Sequence, residues 1–315
     1  MPSVARLLWG MTTHINDGRV FLRRQISDLG ISQRDFEELQ TLSLVRQVTH
    51  GVWVDATTPD SQDLRFEAVR LIKPEHAVFC NSTAAWLRNV DTFKPSERFL
   101  LKPQCVVPIG STRCNNGLVR CREAIIPDAD VIEIDGILLT SDVRTTSDML
   151  REQWRPYALA AADGMAHAGL VDPEEVQDYV AKLKGYRWIV QARELAYLIE
   201  PLAESPGESW SRLRLIDAGF PRPTAQVAVV DANDRVRGWL DLALIEWKVA
   251  TEYDGREFHT EDDDTLHDDE RRRYFRAVHG WRIAVARRED IFGTCTDFEC
   301  QVGEWIGREP LPRIW

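Results

Sequence analysis

The sequence predicts an α+β protein of several domains, on the evidence of its length, its alternating patterns and one linker. At 315 residues the chain is longer than one ordinary hydrophobic core supports. Runs with a helical period of apolar residues are mixed with short runs of period two, which predicts helices combined with small sheets. A linker containing proline and glycine, residues 204–207, precedes the last part. We therefore expect domains at residues 1–60, 61–203 and 204–315.

The composition is typical of a globular protein, but the charge is strongly acidic. Hydrophobic residues make up 44% and charged residues 28% of the chain, and the net charge is −11. Proteins that coat nucleic acid without specificity are usually basic, so this charge argues against that class. No apolar run reaches the length of a membrane span, and the first residues do not match a signal peptide. We expect a cytoplasmic protein with reduced cysteines and no membrane partner.

Residues 1–60 are predicted to form a winged helix. Ser32 is placed to cap a helix that carries Arg34, and two alternating runs, 44–48 and 51–55, follow as a hairpin. The segment 44–54, Leu-Val-Arg-Gln-Val-Thr-His-Gly-Val-Trp-Val, resembles the N-terminal domain of AbiEi-type antitoxins. This resemblance implies DNA binding, with Arg34 and Arg46 as candidate contacts. Because acids at 35, 37 and 38 would be repelled by phosphates, docking to a protein partner stays open as the alternative.

Residues 61–203 are predicted to be a mixed α/β segment followed by a helical connector. One amphipathic helix ends before Pro74, and another begins at Ser82. Short strands are expected at residues 99–101, 105–107, 118–121, 131–134 and 137–140. Connector helices are expected to start near Ser141 and at the Asp-Pro pair 172–173. This segment resembles the middle of the same antitoxin-like proteins, and we find no residues in it that are spaced for catalysis.

The last part, residues 204–315, is predicted to be an α/β/α sandwich. Its patterns follow the order helix, three strands, helix and strand, which suits this architecture. Within it, residues 238–259 predict an antiparallel hairpin whose turn lies near residues 246–247. The run of acids at 261–264 is interpreted as a solvated loop, and the next helix is expected to begin at Asp268.

The hairpin gathers acidic side chains. A symmetric turn places Asp241 directly opposite Glu252, and such cross-strand partners have Cβ atoms about 4.5–5.5 Å apart. Side chains alternate along a strand, so Lys248 and Asp254 are expected on the same face. The opposite face, toward a core, would hold Leu240, Leu242, Leu244, Val249, Thr251 and Tyr253. Clustered carboxylates call for a hard cation, Mg²⁺ or Mn²⁺. The alternative is a solvent-exposed polar face that Lys248 partly neutralises.

The motifs of the last part resemble the PD-(D/E)XK nuclease superfamily, in particular very-short-patch-repair endonucleases and their stand-alone relatives. The residues that carry the resemblance are Glu208, Asp241, Glu-Tyr-Asp-Gly at 252–255, His259, the arginines at 271–273 and Gly-Trp-Arg at 280–282. Uncharacterised actinobacterial proteins have a similar layout, in which an antitoxin-like N-terminal part is joined to a nuclease-like C-terminal part.

This resemblance implies roles for single residues. Asp241 would be the principal metal ligand and Glu252 the second, with Glu208 bound directly or through water. His259 would act as a general base or hold the scissile phosphate. Arg271 and Arg272 would pair with phosphate oxygens, as arginine does in bidentate geometry.

Asp254 departs from the superfamily motif, which ends in lysine at this point. The candidate catalytic residues are therefore Glu208, Asp241, Glu252, Asp254 and His259. Two functions follow: a Mg²⁺-dependent nuclease, acting on DNA and guided by the winged helix, or an antitoxin-like regulator or defence component with an inactive nuclease fold. The complete set of acids at 208, 241 and 252 favours the nuclease.

Overall fold

A computed structural model describes residues 15, 17–92, 102–111, 117–255 and 262–315, with the backbone alone for 262–269. His259 and the strand predicted at 99–101 lie outside these described residues. The chain forms two compact units, residues 1–145 and 146–315. The boundaries predicted near residues 60 and 203 fall within these units, and the three-part division stays a prediction. No helix in the described ranges is long and apolar enough to cross a membrane.

The first unit contains two small sheets and short helices. A three-stranded sheet has the order β1-β3-β2, and a five-stranded sheet has the order β6-β5-β4-β8-β7. The elements are β1 (Phe21–Leu22), α1 (Gln33–Thr41), β2 (Val45–Thr49), β3 (Val52–Asp55), α2 (Gln62–Ile72), β4 (Val78–Phe79), α3 (Asn81–Trp86), β5 (Gln104–Val107), β6 (Arg120–Glu123), β7 (Val131–Ile134), β8 (Ile137–Thr140) and α4 (Asp142–Glu152), which extends past residue 145. The mixed α and β content predicted for this part is confirmed.

The N-terminal part of this unit has the helix cap and the hairpin that the sequence predicted. Ser32 caps α1, because its Oγ accepts a hydrogen bond from the backbone N–H of Asp35 at 3.2 Å. The predicted hairpin is formed by β2 and β3. Ahead of α1, the chain forms the short strand β1 and a single 3₁₀ turn, Arg23–Gln25. One hydrophobic core joins both sheets, and Val52 of the first sheet and Leu139 of the second are buried in it.

The second unit begins with helices and ends with a layered sheet. Its elements are α5 (Arg155–His167), α6 (Pro173–Lys182), α7 (Ile189–Ala196), α8 (Pro206–Asp217), β9 (Thr224–Val230), β10 (Val236–Leu244), β11 (Val249–Tyr253), α9 (Asp262–His279), β12 (Arg282–Ala286), α10 (Arg288–Phe292) and α11 (Asp297–Ile306). The sheet order is β12-β11-β10-β9. β11 and β12 are parallel, whereas β9, β10 and β11 are antiparallel neighbours.

Helices cover both faces of this sheet. On one face, Trp210 and Leu215 of α8 share a core with Leu244 and Val249. On the other face, Phe275 of α9 packs with strand residues that include Ala243, Ala250 and Ile283. The alternative of a solvent-exposed polar face is wrong for Glu252, which is buried and pairs with Arg271 and Arg272 of α9.

The start of α9 also differs from the sequence expectation. The acidic run at 261–264 was predicted to be a loop, but the helix begins at Asp262. Acidic residues are favoured in the first turn of a helix, because their charge interacts well with the positive end of the helix dipole. The same acids that indicated a solvated loop are therefore compatible with a helix start.

Candidate active site

The candidate site lies where β10 and β11 pair beside the start of α8. The register places Leu242 opposite Thr251 and Leu244 opposite Val249, which is the register that the sequence predicted. The next residues in this register are Asp241 and Glu252. The backbone N–H of Tyr253 donates to Oδ2 of Asp241 at 3.3 Å, so the hairpin itself holds the aspartate.

Glu208 is supplied by the first turn of α8. Ser205 caps this helix: its Oγ accepts from the N–H of Glu208 at 3.2 Å and donates to Oε1 of the same residue at 2.8 Å. Gly207 lets the helix start pack closely on the hairpin, since a Cβ at this position would lie 2.0 Å from Cδ1 of Tyr253. The local cap and the absence of a side chain at 207 together fix where the Glu208 carboxylate points.

Gln226 is a site residue that the sequence reasoning missed. Its Nε2 donates to Oε2 of Glu208 at 3.1 Å. Its backbone has a φ of 49°, which is uncommon for a residue other than glycine. A single amide between the apolar residues 225 and 227–230 of strand β9 was the available signal.

Glu252 is almost completely buried, with 2% of its surface exposed. Its Oε2 accepts from Nε of Arg272 at 2.7 Å and from Nη2 of Arg271 at 3.3 Å. Its Oε1 is buried and has no hydrogen-bond partner among the described residues. The arginines that the resemblance assigned to phosphate therefore bind the second acid of the hairpin, and their phosphate role stays a prediction.

Asp241 has a raised proton affinity in this site. Burial, followed by repulsion from Glu208 and then Glu252, raises the pKa of Asp241 to about 7. The N–H of Tyr253 and the charge of Arg271 oppose this rise. A carboxyl group with a pKa near neutrality and charged neighbours is a feature that functional sites share.

The other polar residues of the hairpin, Asp254 and Lys248, have partners of their own. The Asp254 carboxylate is 3.6 Å from the Arg287 guanidinium. Lys248 was expected on the acidic face, but it ends the turn in a left-handed conformation, and its Nζ donates to the carbonyl oxygen of His279 at 3.0 Å. Lys248 therefore does not neutralise the acids. Where the nuclease motif has a lysine, this chain has Asp254, which faces the guanidinium of Arg287.

The two N-terminal candidates differ in their freedom to contact nucleic acid. Arg34 is exposed on α1. Arg46 donates from Nη2 to the carbonyl oxygen of Thr58 at 2.7 Å, which connects β2 to the loop that follows β3. Nothing in these contacts tests DNA binding, which stays a prediction for both.

Within the part of the chain that the structure describes, no group of three or more His, Cys, Asp or Glu residues is arranged to hold a metal ion. Asp241 and Glu252 provide carboxylates on adjacent strands, and Glu208 provides a third from α8. What the site offers chemically is a buried acidic cluster next to two guanidinium groups, with one unsatisfied carboxylate oxygen.

Comparison with known proteins places the chain in a family. Two proteins described as uncharacterised, MT2308 and Rv2248 from two strains of Mycobacterium tuberculosis, are 30% identical over 252 residues, which are 78% of this chain and 89% of each relative. The chain belongs to their family. Residues 77–198 match the AbiEi antitoxin C-terminal domain, and this domain suggests a toxin–antitoxin or defence role.

The AbiEi resemblance is thus confirmed for the middle of the chain. The matched range begins after the predicted winged helix, whose own resemblance stays a prediction. Among solved structures, the crystal structure of the RV2827C protein from Mycobacterium tuberculosis covers 67% of this chain and 80% of its own, at 11% identity and a TM-score of 0.32. A likeness of that size supports no argument about fold or function.

Proposed function

We propose that the acidic site hydrolyses phosphodiester bonds of nucleic acid, with DNA as the expected substrate, when it holds Mg²⁺ or Mn²⁺. The observation that carries this proposal is the convergence of Glu208, Asp241 and Glu252 in a buried place: burial, and then repulsion from Glu208 and Glu252, raises the pKa of Asp241 to about 7. Folding has brought like charges together in a buried place, which favours either a proton or a cation there.

The donor set fits a hard divalent cation. Oε1 of Glu252 is a buried acceptor without a hydrogen-bond partner among the described residues, and Asp241 is its neighbour across the hairpin. Mg²⁺ is usually held by one or two carboxylates together with water and substrate phosphate, rather than by a complete cage of protein ligands. Asp241 and Glu252 would hold the ion, with Glu208 acting through water, so a group of three protein ligands is not required.

With an ion held by Asp241 and Glu252, the site would supply a water of lowered pKa and would offset negative charge on the phosphoryl oxygens. The protein's own residues would then orient the substrate and the cluster. Arg271, whose side chain is about one third exposed, is placed to contact a phosphate oxygen beside Glu252. Gln226 and Ser205 orient the Glu208 carboxylate. Asp241 must lose its proton to bind a cation, so activity is expected to rise as the pH passes about 7.

A second candidate function is an antitoxin-like regulator without nuclease activity. The match of residues 77–198 to the AbiEi antitoxin C-terminal domain favours it. So do the ion pairs from Arg271 and Arg272 to Glu252, which already neutralise part of the site. In this reading the winged helix at residues 1–60 binds an operator or a protein partner, and the acidic cluster is a remnant of a nuclease fold.

Cleavage assays separate the two functions. The full-length protein is incubated with supercoiled plasmid, single-stranded DNA and RNA, in Mg²⁺, Mn²⁺ or EDTA. We expect metal-dependent nicking of the plasmid that disappears in Asp241→Asn and persists in Asp234→Asn. Asp234 is a suitable control because it is an exposed acid in the β9–β10 turn, and its left-handed backbone suits asparagine.

Absence of cleavage on all of these substrates would contradict the nuclease and favour the regulator. The regulator is then tested by gel shift with DNA from the upstream region of its own gene. Loss of the shift in Arg34→Ala would place the DNA contact on α1.

A further inference from the structure

Residues 182–190, which run from the last residue of α6 into the first turn of α7, combine basic and aromatic side chains. They include Lys182, Lys184 and Arg187 together with Tyr186 and Trp188. No acid occurs between residues 179 and 193, although the whole chain has a net charge of −11. Asp178 lies one helical turn before Lys182 and is the nearest acid on the amino-terminal side. We call residues 182–190 the basic–aromatic segment.

The basic and aromatic side chains of this segment are exposed to solvent. The three basic residues are exposed. Trp188 is 57% and Tyr186 is 37% exposed. Large aromatic side chains usually bury most of their surface, so two neighbouring exposed rings among cations are unusual for a surface with no partner.

The backbone beneath these side chains is firmly held. Arg193 donates to the carbonyl oxygens of Val180 at 3.3 Å, Ala181 at 3.4 Å and Leu183 at 2.7 Å. From the other side, Arg151 donates to the carbonyl oxygen of Arg187 at 2.9 Å. Two arginines thus fix the chain from within the unit, so the segment presents its side chains without the ordering entropy that a flexible loop would lose on binding.

Trp188 is held in an unfavourable conformation that its packing does not explain. It precedes α7 with φ 63° and ψ 18°, a left-handed region in which a bulky residue is an outlier. Conformational strain of this kind tends to occur at ligand contacts and switches. The ring is more than half exposed, so burial does not compensate the strain. The Arg187 guanidinium lies 4.8 Å from the Trp188 ring centroid, and Arg151 lies 5.1 Å from that of Tyr186.

We propose that the basic–aromatic segment binds single-stranded nucleic acid. Unpaired bases stack on Trp188 and Tyr186, and Lys182, Lys184 and Arg187 contact the phosphates. Aromatic platforms set among cations are the recurrent means of binding single strands. Paired bases are stacked within a duplex and cannot offer their faces to a protruding ring, so the segment prefers single strands to duplex. This binding does not depend on the proposed hydrolysis, because none of these residues belongs to the acidic site.

Fluorescence anisotropy of a labelled oligo(dT) of about 16 nucleotides, within the range of single-strand site sizes, tests the proposal. The full-length protein is titrated in EDTA, which prevents any metal-dependent cleavage. Trp188→Ala is expected to weaken binding roughly 5- to 150-fold, the range for loss of one stacked base, and Trp188→Phe should retain most of the affinity. Replacing Lys182, Lys184 and Arg187 together by Gln should reduce the slope of log K against log salt by about 2, at about 0.7 per phosphate contact.

Tyr197→Ala is the matched control, because Tyr197 is an aromatic residue in the same unit and is 66% exposed. It should bind as the wild type does, and all variants should keep the wild-type thermal unfolding temperature. The proposal is overturned if the wild type binds neither oligo(dT) nor a matched RNA at low salt, which would leave the segment as a protein-docking surface. It is also overturned if Trp188→Ala binds like the wild type, or if duplex DNA binds more tightly than the single strand.

Discussion

Two aspartates in residues 146–315, the buried Asp163 and the half-buried Asp241, have opposite surroundings. Asp163 of α5 faces Arg212 of α8, with 2.6 Å between Oδ2 and Nη2, and its Oδ1 accepts from the N–H of Glu200 at 2.8 Å. Burial raises the pKa of Asp163, while the charge of Arg212 opposes that rise. For Asp241, burial and the two neighbouring acids act in the same direction. Asp163 is paired with a cation, whereas Asp241 belongs to a cluster of acids.

This difference separates a structural ion pair from a candidate functional site. Arg212 is fully buried and also donates to the carbonyl oxygen of Leu198 at 2.6 Å, so the pair links elements of the unit. Around Asp241, repulsion from Glu208 and Glu252 exceeds the opposing attraction from Arg271. This net repulsion among the acids contributes no stability to the fold. The crowding of these acids is explained if a cation or a substrate completes the site.

The largest effect is expected from Asp163→Ala. Arg212 would remain buried without its counter-ion, and removal of one partner from a buried pair costs about 3–5 kcal/mol. Guanidinium denaturation followed by tryptophan fluorescence measures the change. Glu194→Gln is the control: Glu194 is exposed, and its partner Arg155 keeps Asp217, so a loss below about 1 kcal/mol is expected. Equal losses in both variants would show that the Asp163 pair has no special structural role.

Asp241→Asn is expected to act in the opposite direction. In the folded protein the pKa of Asp241 is about 7, against an ordinary value of 3.8, so folding favours the protonated form. The free energy of unfolding of the wild type therefore decreases as the pH rises from about 4 through about 7. The asparagine variant lacks this titrating group, so its free energy of unfolding does not decrease for this reason. At pH 8 in EDTA the variant should be more stable, by at most about 4 kcal/mol for a shift of about three pKa units.

Urea denaturation of both proteins at a series of pH values measures this difference. Below pH 4 the two free energies of unfolding should converge. Added Mg²⁺ should stabilise the wild type at pH 8, by about 2.7 kcal/mol at a concentration of 100 times Kd, and should leave the variant unchanged. A variant less stable than the wild type at pH 8 in EDTA would place Asp241 with Asp163 as a structural residue.

A smaller effect is expected from Gly207→Ala, which tests how Glu208 is held near Asp241. The added methyl group would meet the ring of Tyr253 at 2.0 Å, and overpacking of this kind costs about 1–3 kcal/mol. The start of α8 should move away from the hairpin, so the pH dependence assigned to Asp241 should weaken.

Gly255→Ala is the matched control, since its methyl group would lie 3.7 Å from the same ring, an ordinary contact. Thermal unfolding and the pH series, applied to both variants, provide the measurement. If Gly207→Ala keeps the full pH dependence, Glu208 does not contribute to the raised pKa of Asp241.

The sequence alone determined the local features of this protein. The cap at Ser32, the helix that ends before Pro74, the hairpin at 44–55 and the turn near 246–247 all appear in the structure. Each depends on residues a few positions apart, which is why patterns of period two or 3.6 and capping residues reveal them. The register that brings Asp241 next to Glu252 could also be predicted, because a tight turn fixes the pairing of its strands.

The tertiary structure alone decided what surrounds those carboxylates. α9 covers the face of the hairpin that carries Glu252 and places Arg271 and Arg272 on that acid. Gln226 reaches Glu208 from another strand. These contacts join residues 18 to 20 positions apart in the chain, and no local pattern encodes them. Burial and charge act through space, so the sequence could name the acids, but only the packed layers decided which are neutralised and which remain crowded.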